Sequence, residues 1–314
     1  MKRFKNILVA VDTRLQEYPA LQWAIRLAEH NQAKLEVVDV VPAFSWIARL
    51  AMPDSERTKQ VLAVEKRQRL EAIAAPLRDQ GFDVTTKVLF GKTSVEIMRE
   101  VLKSSHDLVL RVTKGVHSRR TGFFGTTSLR LLHSSPCAVW LVRPDRPPQF
   151  SRVLAAVDPA PHDVAQEVMN KTLMDLGRSL ADFEHGQLHV VHAWELIGLS
   201  ADESWAIPGQ LEEAMRKAKT EVAEALDDFL APYELSHRSE GVHLLHDEAG
   251  PGHAIAELAK QQDIDIVVMG TLSRSGISGV LMGNTAEQVI DRVECSVLTI
   301  KPNGFISPVT VKQE

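Results

Sequence analysis

Short apolar runs alternate along the chain with longer segments that have helical hydrophobic spacing. Residues 7–11, "ILVAV", form a continuous apolar run, as expected of a parallel strand that is buried on both faces. Leu21, Ala24, Ile25 and Ala28 then follow the spacing of an amphipathic helix. The chain therefore begins with a predicted strand followed by a predicted helix.

The same alternation continues as far as residue 142. Further strands are predicted at 37–41, near 84–89, at 108–112 and at 138–142, and helices at about 58–79, around 97–101 and between the last two strands. Alternation of this kind implies right-handed crossovers and a doubly wound parallel sheet of five strands. The predicted fold class is α/β and Rossmann-like.

The chain also repeats itself. "NILVAVD" at 6–12 corresponds to "RVLAAVD" at 152–158, and "KLEVVDVV" at 34–41 to "QLHVVHAW" at 187–194. From Asp107 and Asp265 onward the two copies align without a gap. The duplication predicts two tandem domains, 1–145 and 153–314, joined by a linker at 146–152 whose prolines keep it extended.

Composition narrows the class of protein. Hydrophobic residues make up 44% and charged residues 25% of the chain, as in soluble globular proteins. No apolar stretch is long enough for a membrane span. The basic start resembles a signal peptide, but its apolar run ends at Asp12 without a cleavage-type region. The two cysteines are too few for a disulfide framework, so a cytoplasmic location is expected.

The two halves of the chain differ in charge. Residues 1–150 contain 24 basic and 15 acidic side chains, whereas residues 151–314 contain 12 and 26. Attraction between the halves, or of an anionic ligand to the first half, is one interpretation. Unrelated drift of two solvated surfaces is the other.

Two loops of each repeat follow the carboxyl ends of strands, where ligands of doubly wound sheets bind. The first begins with Asp12 or Asp158, which either accepts hydrogen bonds from a ribose or caps the following helix. The second ends at a helix N-terminus, whose free N–H groups suit a phosphate. Its spaced residues are Val112, Gly115, Gly125 and Thr126 in the first repeat and Gly270, Ser273, Gly283 and Asn284 in the second.

These motifs resemble the universal stress protein family. The shared pattern is G-x2-G-x9-G-[S/T] after the fourth strand, with "ILVAVD" at the start. "GNTAEQVID" and "CSVLTIKP" are most similar to tandem, E-type members. The resemblance covers essentially the whole chain and implies the family's adenine-nucleotide α-hydrolase-like sheet. In ATP-binding members the first-strand aspartate binds ribose and the glycine loop holds the phosphates. A residue that ends the second strand, here Val40 or Ala193, contacts adenine.

Both glycine loops depart from that pattern. Val112 stands where the first glycine is expected, and a β-branched residue tolerates positive φ poorly. In the second repeat Ser273 replaces the middle glycine and Asn284 replaces the hydroxyl residue. Some members of the family bind no ATP, so the departures leave membership intact and leave nucleotide binding open in both repeats.

The first glycine loop is also basic. It carries Lys114, His117, Arg119, Arg120 and Arg130 without an acidic residue among them. Arginine forks beside a helix N-terminus suit a phosphate or a carboxylate. A solvated basic loop is the simpler alternative.

Other candidate chemistry is weaker. The histidines of "HVVH" (189–192) and "HLLH" (243–246) are three residues apart, so on strands they face opposite sides and chelate poorly. No metal site is therefore predicted. Cys137 and Cys295 precede the last strands as small hydrophobic residues. No nucleophile motif or zinc-ligand spacing is present.

Three functions are compatible with these features. The leading prediction is a cytoplasmic, non-enzymatic stress-response protein that binds a small or lipid-like ligand, an adenine nucleotide included. The alternatives are a weak ATPase or nucleotide-transferring enzyme, with only Asp12 and Asp158 to hold a metal, and an interaction scaffold with vestigial sites. No reading motif supports nucleic-acid binding.

The repeat also predicts an assembly. The last strands, 138–142 and 296–300, are strongly apolar, and an unpaired apolar edge is an aggregation hazard. We therefore expect the two repeats to dock as an intramolecular pseudo-dimer. Homodimers of whole chains are compatible with this arrangement but not required by it.

Overall fold

A computed structural model of the chain describes residues 3–44, 54–113, 124–145, 149–159, 164–195, 210–271 and 282–311. The first repeat contributes β1 (Asn6–Ala10), α1 (Pro19–Asn31), β2 (Lys34–Pro42), α2 (Ser55–Asp79), β3 (Val84–Gly91), α3 (Thr93–Ser104), β4 (Leu108–Val112), α4 (Thr126–Ser134) and β5 (Ala138–Val142). Each strand predicted for this repeat is present. The predicted α/β alternation is confirmed.

The second repeat has the same order of elements. It contributes β6 (Arg152–Ala156), α5 (Val164–Glu184), β7 (Gln187–Trp194), α6 (Gln210–Leu230), a 3-10 turn (Ala231–Tyr233), β8 (Val242–His246), α7 (Pro251–Gln261), β9 (Ile266–Gly270), α8 (Asn284–Arg292) and β10 (Ser296–Ile300). Within the described ranges, each repeat therefore supplies five strands, as the sequence predicts. None of the helices in these ranges is both long and apolar enough to cross a membrane.

Two compact units make up the described chain. The first comprises the described residues up to Gln149 and those from Cys295 onward; the second runs from Phe150 to Thr271 and from Met282 to Glu294. In the first unit the strand order is β3-β2-β1-β4-β5-β10. β1 to β5 are parallel, and β10 pairs antiparallel with β5. In the second unit the order is β9-β6-β7-β8, all parallel.

The core of the first unit follows from its parallel sheet. Helices cover both faces, so central strands are apolar throughout, and Ile7, Leu8 and Val9 of β1 are fully buried. Trp23 of α1 packs on Trp140 of β5 with 5.4 Å between ring centroids. These contacts fix α1 against the strands whose carboxyl ends form the candidate site.

One carboxylate anchors the start of each repeat in the same way. Asp107 accepts hydrogen bonds from the backbone N–H of Lys5 at 2.6 Å and of Asn6 at 3.2 Å. Asp265 accepts from the N–H groups of Ser151 at 2.7 Å and of Arg152 at 3.0 Å. The two aspartates that the repeat aligns therefore have the same structural role, which confirms the alignment.

Candidate functional site

The candidate site lies where the first sheet reverses its strand order. β2 and β3 lie on one side of β1, whereas β4 and β5 lie on the other. The loops that leave β1 and β4 therefore diverge at the carboxyl ends of these strands, which is where open α/β sheets bind ligands. Asp12 lies in the loop that follows β1.

Asp12 is held by an ion pair within its own loop. Arg14 Nε donates to Oδ1 at 2.8 Å and Nη2 donates to Oδ2 at 2.6 Å. This side-chain hydrogen bonding is the main reason that the pKa of Asp12 is lowered. Arg14 is exposed, so water weakens the pair and a ligand can displace it. The alternative role as a helix cap is wrong, because α1 begins at Pro19 after Tyr18.

Asp39, within β2, is the most heavily bonded side chain of this region. It is 5% exposed. Its Oδ2 accepts hydrogen bonds from the N–H of Thr13 at 2.9 Å, the hydroxyl of Thr13 at 2.6 Å and Lys66 Nζ at 2.5 Å. Its Oδ1 accepts from the N–H of Val40 at 2.6 Å. Asp39 thus ties the Asp12 loop to β2 and to helix α2.

Two cationic side chains of helix α2 make contacts at the loop that carries Asp12 and Thr13. Lys66 pairs with Asp39, and its side chain is only 12% exposed. Arg69, one turn later, donates from Nη1 to the carbonyl oxygen of Thr13 at 2.7 Å and from Nη2 to Glu65 at 2.6 Å. Residues three apart share a helix face, so both cations reach this end of the sheet.

Arg111 adds a further cation from β4. It lies opposite Ala10 of β1 and Leu141 of β5 in the strand register. Burial lowers the pKa of its guanidinium, and the carboxylates of Asp12 and Asp39 oppose that shift. Arginine nevertheless remains charged in proteins. We call the region defined by Asp12, Thr13, Arg14, Asp39, Lys66, Arg69 and Arg111 the first cleft.

Two valines predicted to contact a nucleotide lie in strands beside this cleft. Val40 is 7% exposed, is paired in register with Leu89, and its N–H is already used by Asp39. Val112 ends β4 opposite Val142 and is half-buried. The backbone N–H of Val40 is therefore not free to bind an adenine. Contact of a nucleotide with Val40 or Val112 stays a prediction.

The predicted phosphate loop is described only up to Thr113 and from Phe124 onward. Gly125 is the N-cap of α4 with a φ of −67°, so its backbone conformation is open to any residue. Thr126 is the first residue of the helix and is exposed. Gly115 and the anion-binding candidates Lys114, Arg119 and Arg120 lie outside the described residues.

The equivalent region of the second repeat is built differently. The backbone N–H of Asp158 donates to Asn170 Oδ1 at 2.9 Å, and Asn170 Nδ2 donates back to the carbonyl of Asp158 at 2.8 Å. His192, which corresponds to Asp39, lies 3.2 Å from the carbonyl oxygen of Val157 and 3.8 Å from Asp158 Oδ1. Apolar Met269 takes the place of Arg111. In this second cleft the equivalents of Asp39 and Arg111 are therefore a histidine and a methionine.

Its remaining predicted residues mark strand and helix ends. Gly270 ends β9, and Ala193 of β7 lies opposite Leu245 of β8. Gly283 is the N-cap of α8, and its N–H donates to the carbonyl of Thr271 at 3.0 Å, so that donor is not free for a phosphate. Asn284 begins α8 and is exposed, and Ser273 lies outside the described residues.

Sequence reasoning missed Asp39, Lys66 and Arg111. A signal exists for two of them, because Asp39 in "VVDVV" and Arg111 in "LVLRV" are lone charges within apolar strands. Such charges are costly unless paired or functional. Lys66 carries no comparable signal, since it is one of several cations along a polar helix.

A cavity of about 190 Å³ lies at the opposite, amino end of the first sheet. It is lined by Lys34, Glu36, Asp83 and His106, among others. His106 Nε2 lies 3.2 Å from Glu36 Oε2, within ion-pair distance, but Glu36 Oε2 and His106 Nδ1 have no hydrogen-bond partner among the described residues. Because ligands of such sheets bind at the carboxyl ends, we place the candidate site there instead.

The histidines of the second repeat form a pair across two strands. His189 Nδ1 and His243 Nε2 are 3.1 Å apart, the ring planes differ by 10°, and the centroids are 5.4 Å apart. The rings therefore meet edge to edge and share one proton, with one nitrogen donating and the other accepting. Because these two nitrogens bond each other, they do not both present a lone pair to one metal ion. Within the described ranges, no group of three or more His, Cys, Asp or Glu residues could hold a metal.

We expect this pair to make the protein less stable in acid. Burial lowers the pKa of both His189 and His243, with Arg152 adding to the effect on His189 and His189 to that on His243. Below about pH 6.5 the unfolded chain binds protons that the folded pair resists. Stability is therefore full above that pH and falls as pH drops towards the lowered values. His243→Gln should reduce the decrease in Tm between pH 7.5 and 5.5.

The matched control is His246→Gln, at an exposed position of the same strand whose ring contacts Trp194. It should leave the acid-induced decrease in Tm as large as in the wild type. Equal decreases in all three proteins would show that the pair does not determine the pH dependence.

The cysteines provide no nucleophile. Burial raises the pKa of Cys137 to about 12, so its thiol stays protonated near neutral pH. Cys295 is buried, and neither residue is in a disulfide. Both behave as the small hydrophobic residues that the sequence predicts.

Known proteins match this chain along nearly its full length. A family model described as the universal stress protein family matches residues 3–143 and 149–301. Universal stress protein E of Salmonella typhi is 28% identical over 321 residues, which cover 100% of this chain and 99% of that protein. The homolog from Haemophilus influenzae is 26% identical, over 96% and 98% of the two chains.

Solved structures show the same fold. A functionally unknown protein from Pseudomonas aeruginosa has a TM-score of 0.75 at 23% identity, covering 97% of this chain and 95% of its own. A universal stress protein from Archaeoglobus fulgidus has a TM-score of 0.55 at 19% identity, over 94% and 98%. The family model spans both repeats, and the repeats carry the fold found in these structures. The chain therefore belongs to the universal stress protein family.

Proposed function

We propose that this stress protein is a non-enzymatic regulatory module that binds an adenine nucleotide in the first cleft. The observation that supports the first cleft over the second is the network around Asp39. It fixes the loop of Asp12 to β2 and α2 before any ligand arrives. Preorganisation of this kind reduces the entropy lost on binding. The expected cytoplasmic location and the docked pseudo-dimer of the two repeats stay predictions.

The first cleft favours binding over hydrolysis. A nucleotide-cleaving site needs a carboxylate available to hold a metal ion and a positioned nucleophile. Asp12 is paired with Arg14, and Asp39 is buried beneath Thr13 and Lys66. Asp39 is thus unavailable to a metal ion, whereas the exposed pair of Asp12 with Arg14 can be displaced by a ligand. We propose that the ribose takes Asp12, which supports a regulatory role.

Calorimetry with ATP tests the proposal. Asp12→Asn and Thr126→Val are each expected to weaken ATP binding by about tenfold, roughly the value of one lost polar contact. Gly115→Val should also weaken it, because a β-branched side chain obstructs close approach of the backbone to a phosphate. Thr220→Val, at an exposed position of α6 where the hydroxyl bonds only the helix backbone, is the matched control. Unchanged affinity in all three variants would remove the first cleft from consideration, and no binding at millimolar ATP would refute the nucleotide assignment.

A further inference from the structure

The guanidinium of Arg111 is a buried cation that has no ion-pair partner among the described residues, although Asp12 and Asp39 are near enough to oppose the lowering of its pKa. Its Nε has neither solvent contact nor a hydrogen-bond partner, and no hydrogen bond or ion pair of this side chain is found among the described residues. The residue as a whole is partly exposed, and the carboxylates of Asp12 and Asp39 that act on its guanidinium belong to the first cleft. Buried charges are normally paired.

The other cations of the first cleft are already paired. Arg14 has Asp12, Lys66 has Asp39 and Arg69 has Glu65, at 2.6, 2.5 and 2.6 Å respectively. Arg111 is a fourth cation, near the carboxylates of Asp12 and Asp39 but paired with neither. When Glu65, the partner of Arg69, is counted with the cleft, these side chains comprise four cations and three carboxylates and so carry one net positive charge.

The fold itself does not require an arginine at this position. The equivalent residue of the second repeat is Met269, which lies in the same strand position and is 3% exposed. An apolar side chain of similar length thus suits this packing environment. Arg111 retains a desolvation cost that Met269 avoids, and a binding role explains why that cost is tolerated.

We propose that Arg111 binds the anionic group of the ligand, a phosphate or a carboxylate, through its guanidinium fork. This inference rests on the proposed function in placing the ligand in the first cleft. Val112, directly after Arg111, stands where the phosphate loop would have its first glycine. A side-chain fork that donates two parallel hydrogen bonds here replaces the close backbone approach that Val112 obstructs.

Two substitutions separate charge from shape. Arg111→Met reproduces the side chain of the second repeat, and Arg111→Lys keeps the charge but not the fork. Loss of charge-assisted hydrogen bonds is expected to weaken ATP binding roughly 10- to 100-fold in Arg111→Met and less in Arg111→Lys. Adenosine, which has no anionic group, should bind both variants as it binds the wild type. Arg216→Met, at an exposed surface pair with Glu213, is the matched control.

Inorganic phosphate serves as a second probe, because the anion could belong to a nucleotide or be free. Millimolar phosphate should raise the Tm of the wild type and of Arg111→Lys but not of Arg111→Met. The ligand-free Arg111→Met protein should melt no lower than the wild type, since an unpaired buried charge has been removed. A large fall in its Tm would make Arg111 a structural residue and overturn the inference.

The outcomes for the two proposals are distinct. If ATP binds Arg111→Met as tightly as the wild type, the role of Arg111 is refuted while nucleotide binding stands. If ATP does not bind but phosphate stabilises the protein through Arg111, nucleotide binding is refuted and the anion site stands. If neither ATP nor phosphate acts on the wild type, both proposals fail.

Discussion

Lys66→Met is expected to lower the free energy of unfolding by about 3–5 kcal/mol, the usual cost of removing one partner from a buried ion pair. Asp39 would keep its hydrogen bonds from Thr13 and Val40 but lose the only full positive charge within hydrogen-bonding distance among the described residues. Water replaces that charge poorly, because the side chain of Asp39 is only 6% exposed. Urea unfolding of the full chain measures the loss, and hydrogen exchange should locate it at β2 and the Asp12 loop.

Lys59→Met is the matched control on the same helix. Lys59 pairs with Glu56 at 2.8 Å, but the side chain of Glu56 is 75% exposed. Exposed pairs contribute roughly 0–1 kcal/mol, so this change should have little effect. Adding Asp39→Asn to Lys66→Met should recover part of the stability, because the neutral amide needs no countercharge. Equal, small effects of Lys66→Met and Lys59→Met would show that Asp39 is not stabilised by its lysine.

The fold could be predicted because it depends on local patterns. Buried parallel strands are apolar throughout, so "NILVA" and "AVWLV" indicate β1 and β5 directly. Bounds are less certain where polar residues join a strand. The prediction began β2 at Val37, whereas the strand begins at Lys34 and includes half-buried Glu36. These residues pair with their neighbours through the backbone, which hydrophobicity does not reveal.

The candidate site was less predictable because its contacts join distant segments. Lys66 meets Asp39 across 27 residues, and His189 meets His243 across 54. No spacing rule anticipates such pairs, which depend on how a helix or a neighbouring strand packs. The sequence did identify Asp12 and the end of β4, because strand ends at a switch point have a fixed place in the fold. The sequence could not show that Arg14 forms an ion pair with the carboxylate of Asp12.

The second unit offers the other large expected effect. Gly252→Ala should destabilise it by about 1–3 kcal/mol, the usual cost of overpacking. A Cβ at this position would lie 2.5 Å from Gln288 Cβ and 2.7 Å from the carbonyl oxygen of Thr285. Gly252 is in the first turn of α7, whereas both contacts belong to α8, so the two helices would be forced apart. The higher helix propensity of alanine, worth up to about 1 kcal/mol, is too small to compensate.

Gly270→Ala is the control for the loss of a glycine as such. Its added Cβ would come no closer than 3.7 Å, to Met169, which is ordinary contact. Gly270 ends a strand, where alanine is favoured over glycine by about 0.5–1 kcal/mol, so this variant should be as stable as the wild type or more so. If Gly252→Ala unfolds at the same urea concentration as Gly270→Ala, α8 can move away without cost and the close packing of α7 on α8 is not required.

Gly252→Ala also tests which repeat binds the ligand. A shift of α8 would carry Gly283 and Asn284, the predicted phosphate-binding residues of the second cleft, with it. We place the ligand in the first cleft, so Gly252→Ala should bind ATP as tightly as the wild type when calorimetry is done below its unfolding transition. Lys66→Met should bind it less well, because Asp39, which holds the loop of Asp12, loses its countercharge and only Arg69 still ties that loop to α2. The reverse result, with ATP affinity reduced by Gly252→Ala and unchanged by Lys66→Met, would move the binding site to the second repeat.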